Sequence, residues 1–242
     1  MKIKHFYIPI LPTLSLLLVL LLWKYPLYLN LCLLLLIITL FYINKLNKKT
    51  IFFCIITGIG GAIFEATCVY LGIWFYTKPL FLIPFWLILI WIITCIFVLN
   101  LNSSIKTLIS IICKKKSNFS PTIYKNYEYN NIEITILMLL VLITILSIFL
   151  FWKNNIILFF ILILLASIFI YITKNRYIIY SFVFTSIAGF TAETISVHFG
   201  VWTYTNPTFL VPIWMLPGWG WAYLSIITIN FFYFNLIQKY NY

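Results

Sequence analysis

Hydrophobic side chains run along this chain in long blocks, and polar positions fall almost only between them. Each block is close to the roughly 20 residues that an α-helix needs to cross a bilayer. Hydrocarbon offers no water to the backbone, and blocks this long and unbroken do not read as barrel strands, so the pattern predicts helices. Eight spans follow, at 6–23, 27–44, 51–74, 84–101, 132–152, 155–173, 177–202 and 212–236. The last four lie 128 residues after the first four.

That offset is an internal duplication. The stretch Gly58 to Trp91 returns without a gap as Ser186 to Trp219. Matched pairs include Gly61/Gly189, Glu65/Glu193, Gly72/Gly200, Trp74/Trp202, Tyr76/Tyr204, Thr77/Thr205, Pro79/Pro207, Phe81/Phe209, Leu82/Leu210, Pro84/Pro212, Trp86/Trp214 and Trp91/Trp219. Leucine runs align by chance in so apolar a chain; two glutamates, four glycines and six tryptophans in register do not. The expected fold class is all-α: a polytopic membrane protein of eight transmembrane helices, arranged as two parallel four-helix repeats with pseudo-two-fold symmetry. The first repeat would take 1–101, a basic cytoplasmic linker 102–131, and the second repeat 132–242.

Charge orients the pattern. The chain is 64% hydrophobic and 8% charged, which excludes a soluble domain. Its net charge of +12 sits in short clusters between the apolar blocks, where lysines fix topology and form no groove for nucleic acid. Thirteen Lys and Arg side chains fall on one side of the eight-span arrangement, and Lys24, Lys78 and Lys153 on the other. Both termini are therefore expected in the cytoplasm of a cell-membrane protein. Met1 to Trp23 has the lysines and leucines of a signal peptide but no small-residue cleavage site, so it reads as the first helix. Lys114–Lys116 in the linker would favour anionic headgroups.

Little metal or redox chemistry is on offer. The five cysteines show no CxxC spacing and read as packing residues; with no Asp and two His, neither a metal nor a cofactor is expected. The glutamates are different. Gly58, Gly61, Glu65, Cys68 and Gly72 form one helical seam, repeated as Ser186, Gly189, Glu193, Ser196 and Gly200. Seams of small residues let membrane helices approach closely, so the third and seventh helices are expected to meet through them. Glu65 lies eleven residues before Tyr76, about 16 Å along a helix, and so well below the outer headgroups. Acids at such depth are costly and mark function, which makes Glu65 and Glu193 the candidate catalytic, proton-handling pair. The alternative is a protonated Glu that bonds a neighbouring helix as packing glue.

The matched caps GIWFYTKPLFLIPFW and GVWTYTNPTFLVPIW place glycine at a helix end and aromatics at the expected depth of the headgroups. Their aromatics would also roof an apolar ligand, which gives Trp74, Tyr76, Trp86, Trp202, Tyr204, Trp214, Trp219 and the nearby His198 as candidate substrate-binding residues. Pro217, Gly218 and Gly220 fall within the eighth span and should kink or open it.

Glu65, followed by Gly72-Ile73-Trp74-Phe75-Tyr76 and then Pro84, resembles the lycopene cyclase domain of carotenoid-synthesising microbes. The pattern is likewise similar to integral-membrane carotenoid hydratases. In the cyclases acidic residues directly follow that proline; here the positions hold Phe85-Trp86 and Ile213-Trp214. What the resemblance implies is a cavity with intramembrane glutamates, suited to an isoprenoid or other membrane lipid as partner. Three functions remain in play: proton-dependent chemistry on such a lipid or its binding, a small proton-coupled transporter, and a non-catalytic scaffold subunit.

Overall fold

The computed structural model describes residues 10–79, 81–112 and 130–240. Eight helices follow in chain order: α1 (Ile10–Leu22), α2 (Pro26–Asn44), α3 (Lys48–Tyr70), α4 (Trp86–Ile112), α5 (Asn131–Phe151), α6 (Asn155–Thr173), α7 (Arg176–His198) and α8 (Met215–Tyr240). Six of them, α2 to α7, are long and apolar enough to cross a membrane. The fold is that of a multi-pass helical membrane protein. Of the remaining two, α1 has 13 described residues, and α8 has 26 but includes glycines, asparagines and a proline among its apolar positions.

Local chemistry explains where the helices begin. Pro26 opens α2, where its missing N–H costs nothing. The Asn47 side chain caps α3 by accepting from the Thr50 N–H at 2.9 Å. At α5, Asn130 accepts from the Glu133 N–H at 2.8 Å while the Glu133 carboxylate accepts from the Asn130 N–H at 3.0 Å, a reciprocal capping box. The fourth helix runs further than the apolar pattern suggested: no breaker interrupts Ile105 to Ile112, so it absorbs the start of the expected linker. The cluster Lys114–Lys116 lies outside the described residues.

Two corrections concern glycine and proline. The spans expected to run to residues 74 and 202 stop at Tyr70 and His198, and Gly72 and Gly200 both take φ +73°. The Gly72 N–H bonds the Val69 carbonyl and the Ile73 N–H bonds Cys68; Gly200 and Val201 do the same to Val197 and Ser196. That pair of bonds is the Schellman stop, and it requires a left-handed residue that only glycine supplies cheaply. The eighth helix, in turn, shows no break at Pro217. It begins at Met215, so the proline falls in the first turn, where the orphan N–H groups are.

The described residues pack as two compact units, drawn from Pro9–Phe97 with Phe190–Ile213 and from Val98–Gly189 with Trp214–Tyr242. The first is here the ribbon unit. Each half of it places, after the glycine, a three-residue strand: β1 (Trp74–Tyr76) and β2 (Trp202–Tyr204). They pair antiparallel, Trp74 opposite Tyr204, Phe75 opposite Thr203 and Tyr76 opposite Trp202. Flanking bonds run from the Thr205 N–H to the Ile73 carbonyl and from the Thr77 N–H to the Val201 carbonyl. An all-helical pattern therefore conceals one short ribbon, built from the two copies of the duplicated motif.

In the ribbon unit the small-residue seam of α3 is filled by α4. A Cβ added to Gly61 would lie 2.4 Å from the Trp91 ring, and one at Gly58 would lie 2.5 Å from Ile92. The second unit repeats the arrangement, with Gly189 under Trp219 and Gly220 under Phe182 and Ser186. The seams expected to bring the third and seventh helices together thus seat the matched tryptophans Trp91 and Trp219 of the helices that follow. An indole fills the hole left by a missing side chain better than another bare backbone does.

The second unit also has a polar interior of its own. The Asn102 carbonyl oxygen accepts from the Ser181 hydroxyl at 2.6 Å and the Tyr223 hydroxyl at 2.7 Å. Trp221 donates its indole N–H to the Leu162 carbonyl at 2.9 Å and stands edge-on to Phe169. Each of these buried or half-buried polar groups finds a partner, as a low-dielectric interior favours.

Candidate functional site

The site grows from the glycine stops. Had α3 continued past Gly72, Tyr76 would lie far above Glu65. The chain instead turns back on itself, and Tyr76 returns to the acid: its hydroxyl donates to Glu65 Oε2 at 2.9 Å, and the Trp74 indole N–H donates to the same oxygen at 3.1 Å. Trp91, the residue seated on Gly61, is a third side-chain partner of Glu65. The second copy repeats the two donors from the strand. Trp202 Nε1 and the Tyr204 hydroxyl each donate to Glu193 Oε2 at 2.8 Å. Spacings of nine and eleven residues from acid to Trp and acid to Tyr are thus the signature of a clasp.

The two clasps share one surface. Alternation along a strand puts Trp74 and Tyr76 on the same side, with Phe75 on the other, and likewise for Trp202, Thr203 and Tyr204. All four donors therefore come from one face of the ribbon. The pairs 74/204 and 76/202 occupy the positions where antiparallel strands bring side chains closest. Trp74 meets Tyr204 edge-on with ring centroids 5.5 Å apart, and Tyr76 meets Trp202 at 5.6 Å. A ring that holds one glutamate thus leans on a ring that holds the other, and the two carboxylates act on each other electrostatically.

The matched threonines, which the sequence left without a role, complete the frame with Trp86. The Thr77 hydroxyl donates to the Gly200 carbonyl, and the Thr205 hydroxyl to the Gly72 carbonyl. Trp86 closes over Tyr76 edge-on, with centroids 6.1 Å apart. Burial pushes the Tyr76 and Tyr204 phenols well above the ordinary tyrosine range, reinforced by the adjacent glutamates, so both stay protonated and donate.

The copies are not equal in burial. Glu193 is buried, at 7% exposure, and Glu65 half-buried. One turn from Glu193, the Ser196 hydroxyl is buried with no hydrogen-bond partner, where the first copy has Cys68.

Of the expected ligand-facing residues, Trp74, Tyr76, Trp202 and Tyr204 touch the carboxylates and Trp86 touches Tyr76. Trp214 and Trp219 belong to the second unit, the latter over Gly189. His198 ends α7 exposed, edge-on to Phe199. The matched Trp and Tyr side chains do not form the aromatic belt anticipated at headgroup depth: Trp74, Tyr76, Trp86, Tyr204 and Trp214 are buried. The Trp74 N–H and the Tyr76 and Tyr204 hydroxyls donate to the glutamates inside, which removes their reason to sit in the interface.

The multi-pass fold has solved neighbours in shape among Insig homologues. The chain is similar to a mycobacterial Insig homologue, MvINS from Mycobacterium vanbaalenii, with a TM-score of 0.53 and 14% identity over 75% of this chain and 94% of that one. A cross-linked trimer of MvINS gives a TM-score of 0.54 and 14% identity, covering 76% and 95%. No family model matches the sequence, and no curated protein does. These findings overturn the resemblance to lycopene cyclases and carotenoid hydratases: the structural neighbours are Insig homologues. In this chain the acid, glycine and tyrosine theme behind that resemblance builds the clasp.

Proposed function

We propose that this protein binds a membrane lipid, an isoprenoid or another, at the doubled glutamate clasp, as a non-catalytic regulatory or carrier protein of the bilayer. The observation that carries the reading is the convergence of two carboxylates and four aromatic donors on one ribbon face, next to a buried Ser196 hydroxyl without a partner. Isolated polar groups at membrane depth are expensive, and a polar lipid head with a hydroxyl or amide would satisfy them. The topology that goes with it is eight spans in two parallel repeats, both termini cytoplasmic and the ribbon on the opposite side. Reporters fused after Tyr242 and after Lys78 should then report opposite sides, and the same side for both overturns that topology.

The binding test is extraction and mass spectrometry of lipid retained by the detergent-purified protein, parent against the double variant Glu65→Gln/Glu193→Gln. Glutamine keeps an acceptor for the Trp and Tyr donors, so the fold should hold while the retained lipid falls. A parent that retains no lipid sinks the proposal.

A second reading has its own support: both donors found on each Oε2 come from that glutamate's own strand, as a purely structural latch requires. Glutamine variants that keep both lipid and melting temperature would favour it.

A further inference from the structure

Among the described residues of the ribbon unit, the most exposed large apolar side chains are a matched pair. Phe81 is 87% exposed and Phe209 90% exposed, in the segments that lead from β1 to α4 and from β2 towards α8. Each is followed by an exposed leucine, Leu82 or Leu210, and then by exposed Phe85 or Ile213. Around them the copies have diverged, Lys78 becoming Asn206 and Leu80 becoming Thr208, while the Phe-Leu pair is the same in both. A loop that ends in water has no use for two adjacent large apolar side chains, and here there are two such loops.

We propose that these twin Phe-Leu loops insert into the bilayer at the ribbon end of the molecule, and that their occupant is the acyl region of a phospholipid leaflet. Three observations favour lipid over a protein partner. The loops adjoin the ends of membrane-crossing helices: α3 ends at Tyr70 and α4 begins at Trp86, and Tyr70, Leu71 and Phe199 beside the helix ends are exposed as well. The ribbon face turned away from the glutamates shows Phe75, half exposed, on the side left to the surroundings. The segments 71–85 and 199–213 contain no acid and a single charge, the exposed Lys78, whose long stem suits an apolar boundary and whose ammonium suits a lipid phosphate. Phenylalanine has no polar tip to keep at headgroup level, so it sinks below the phosphates. The consequence is that the ribbon is pinned at the membrane from both copies at once, which holds the clasps beneath it at fixed depth.

The test uses the full chain in vesicles of phosphatidylcholine and phosphatidylglycerol. Phe81→Cys and Phe209→Cys, each labelled with an environment-sensitive fluorophore, are compared for quenching by aqueous iodide and by a spin label at a shallow acyl position, with the labelled parent subtracted. Both side chains are almost fully exposed, so the substitutions leave the packing untouched. Insertion predicts several-fold stronger quenching by the lipid-borne label than by iodide at both positions. Iodide quenching at either position overturns the proposal, because that loop is then in water. Protection from both quenchers also overturns it, since a second copy of the chain or another protein then covers the loops. Neither outcome bears on whether lipid is retained at the clasp.

Discussion

Removing the Glu193 carboxylate should loosen both clasps, although only one contains it. Glu193→Leu is close in volume and leaves two buried donors, Trp202 Nε1 and the Tyr204 hydroxyl, without their acceptor. A buried donor left unsatisfied costs about 1–3 kcal/mol, so the pair sets a ceiling of roughly 6 kcal/mol. Membrane measurements pull this down: interhelical side-chain bonds average about 0.6 kcal/mol, because the unfolded chain in lipid also finds partners. Two bonds at that rate give a floor of about 1.2 kcal/mol. The rings add a second loss. Trp202 leans on Tyr76 and Tyr204 on Trp74, and each edge-on aromatic pair contributes about 0.5–1.5 kcal/mol beyond burial. Once freed from Glu193, those rings no longer hold the donors of Glu65 in place. The double variant Glu65→Leu/Glu193→Leu should therefore cost less than the sum of the singles, by the 0.5–3 kcal/mol of coupling usual for residues in one network. Equilibrium unfolding in mixed micelles, followed by tryptophan fluorescence, gives all four corners of the cycle. Glu193→Gln is the control, since it keeps an acceptor and should lose well under half of what leucine loses. Strict additivity of the two leucine variants would refute the interlocked arrangement, and a Glu193→Leu variant as stable as the parent would refute the clasp itself.

Three further outcomes are expected. Gly60 has nothing within 4 Å of an added Cβ, whereas at Gly61 that atom meets the Trp91 ring at 2.4 Å; Gly60→Ala should gain about 0.5–1 kcal/mol from helix propensity, and Gly61→Ala should lose about 1–3 kcal/mol to overpacking, both readable as melting shifts in detergent. Gly200→Ala has room for its methyl but not the backbone, since φ there is +73°, so a loss of about 1–2 kcal/mol is expected in the same melts, and no loss would mean the helix stop is not left-handed. Asn102→Leu strands the Ser181 and Tyr223 hydroxyls and should lower the unfolding midpoint by the equivalent of about 1–3 kcal/mol, while Asn102→Asp keeps the acceptor and should lose less.

Much of this architecture is written in the chain because lipid leaves so little choice. Apolar blocks must be helices, and the starts of α2, α5, α6 and α7 fall within a residue of the pattern. The matched Glu, Trp and Tyr were legible as a set for the same reason that made them costly: nothing in a bilayer rewards a glutamate by accident. Their geometry was not legible. A three-residue strand is too short to show alternation, and its hydrogen bonds run to a segment 128 residues away. Gly72 read as a helix end near the headgroups, so the aromatics after it looked like a surface belt; only the reversal that the glycine permits turns them inward onto Glu65. The seam misled in a related way. Glycine spacing shows that something comes close, and Trp91 and Trp219 show what it is only when the turn between the helices is known.

The reciprocity of the ribbon explains which residues the two copies still share. Thr77 bonds the Gly200 carbonyl as Thr205 bonds that of Gly72, and Trp74 meets Tyr204 as Trp202 meets Tyr76. This is an isologous contact, in which one patch is complementary to itself, made here within a single chain. At such a contact a residue changed in one copy meets an unchanged partner in the other, so the mismatch arises at once and twice over. Positions with neither such a tie nor another constraint have drifted, as Tyr70 against His198 and Lys78 against Asn206 show, while Trp91 and Trp219 are kept over their own glycines. The helices need only remain apolar and of a given length; the ribbon face must remain itself in both halves. Identity between the copies is thus concentrated where the copies touch and at the glycines and prolines that bring them there. For the same reason the asymmetry at Cys68 and Ser196, one turn from the glutamates and off the reciprocal face, is where the two clasps are free to differ.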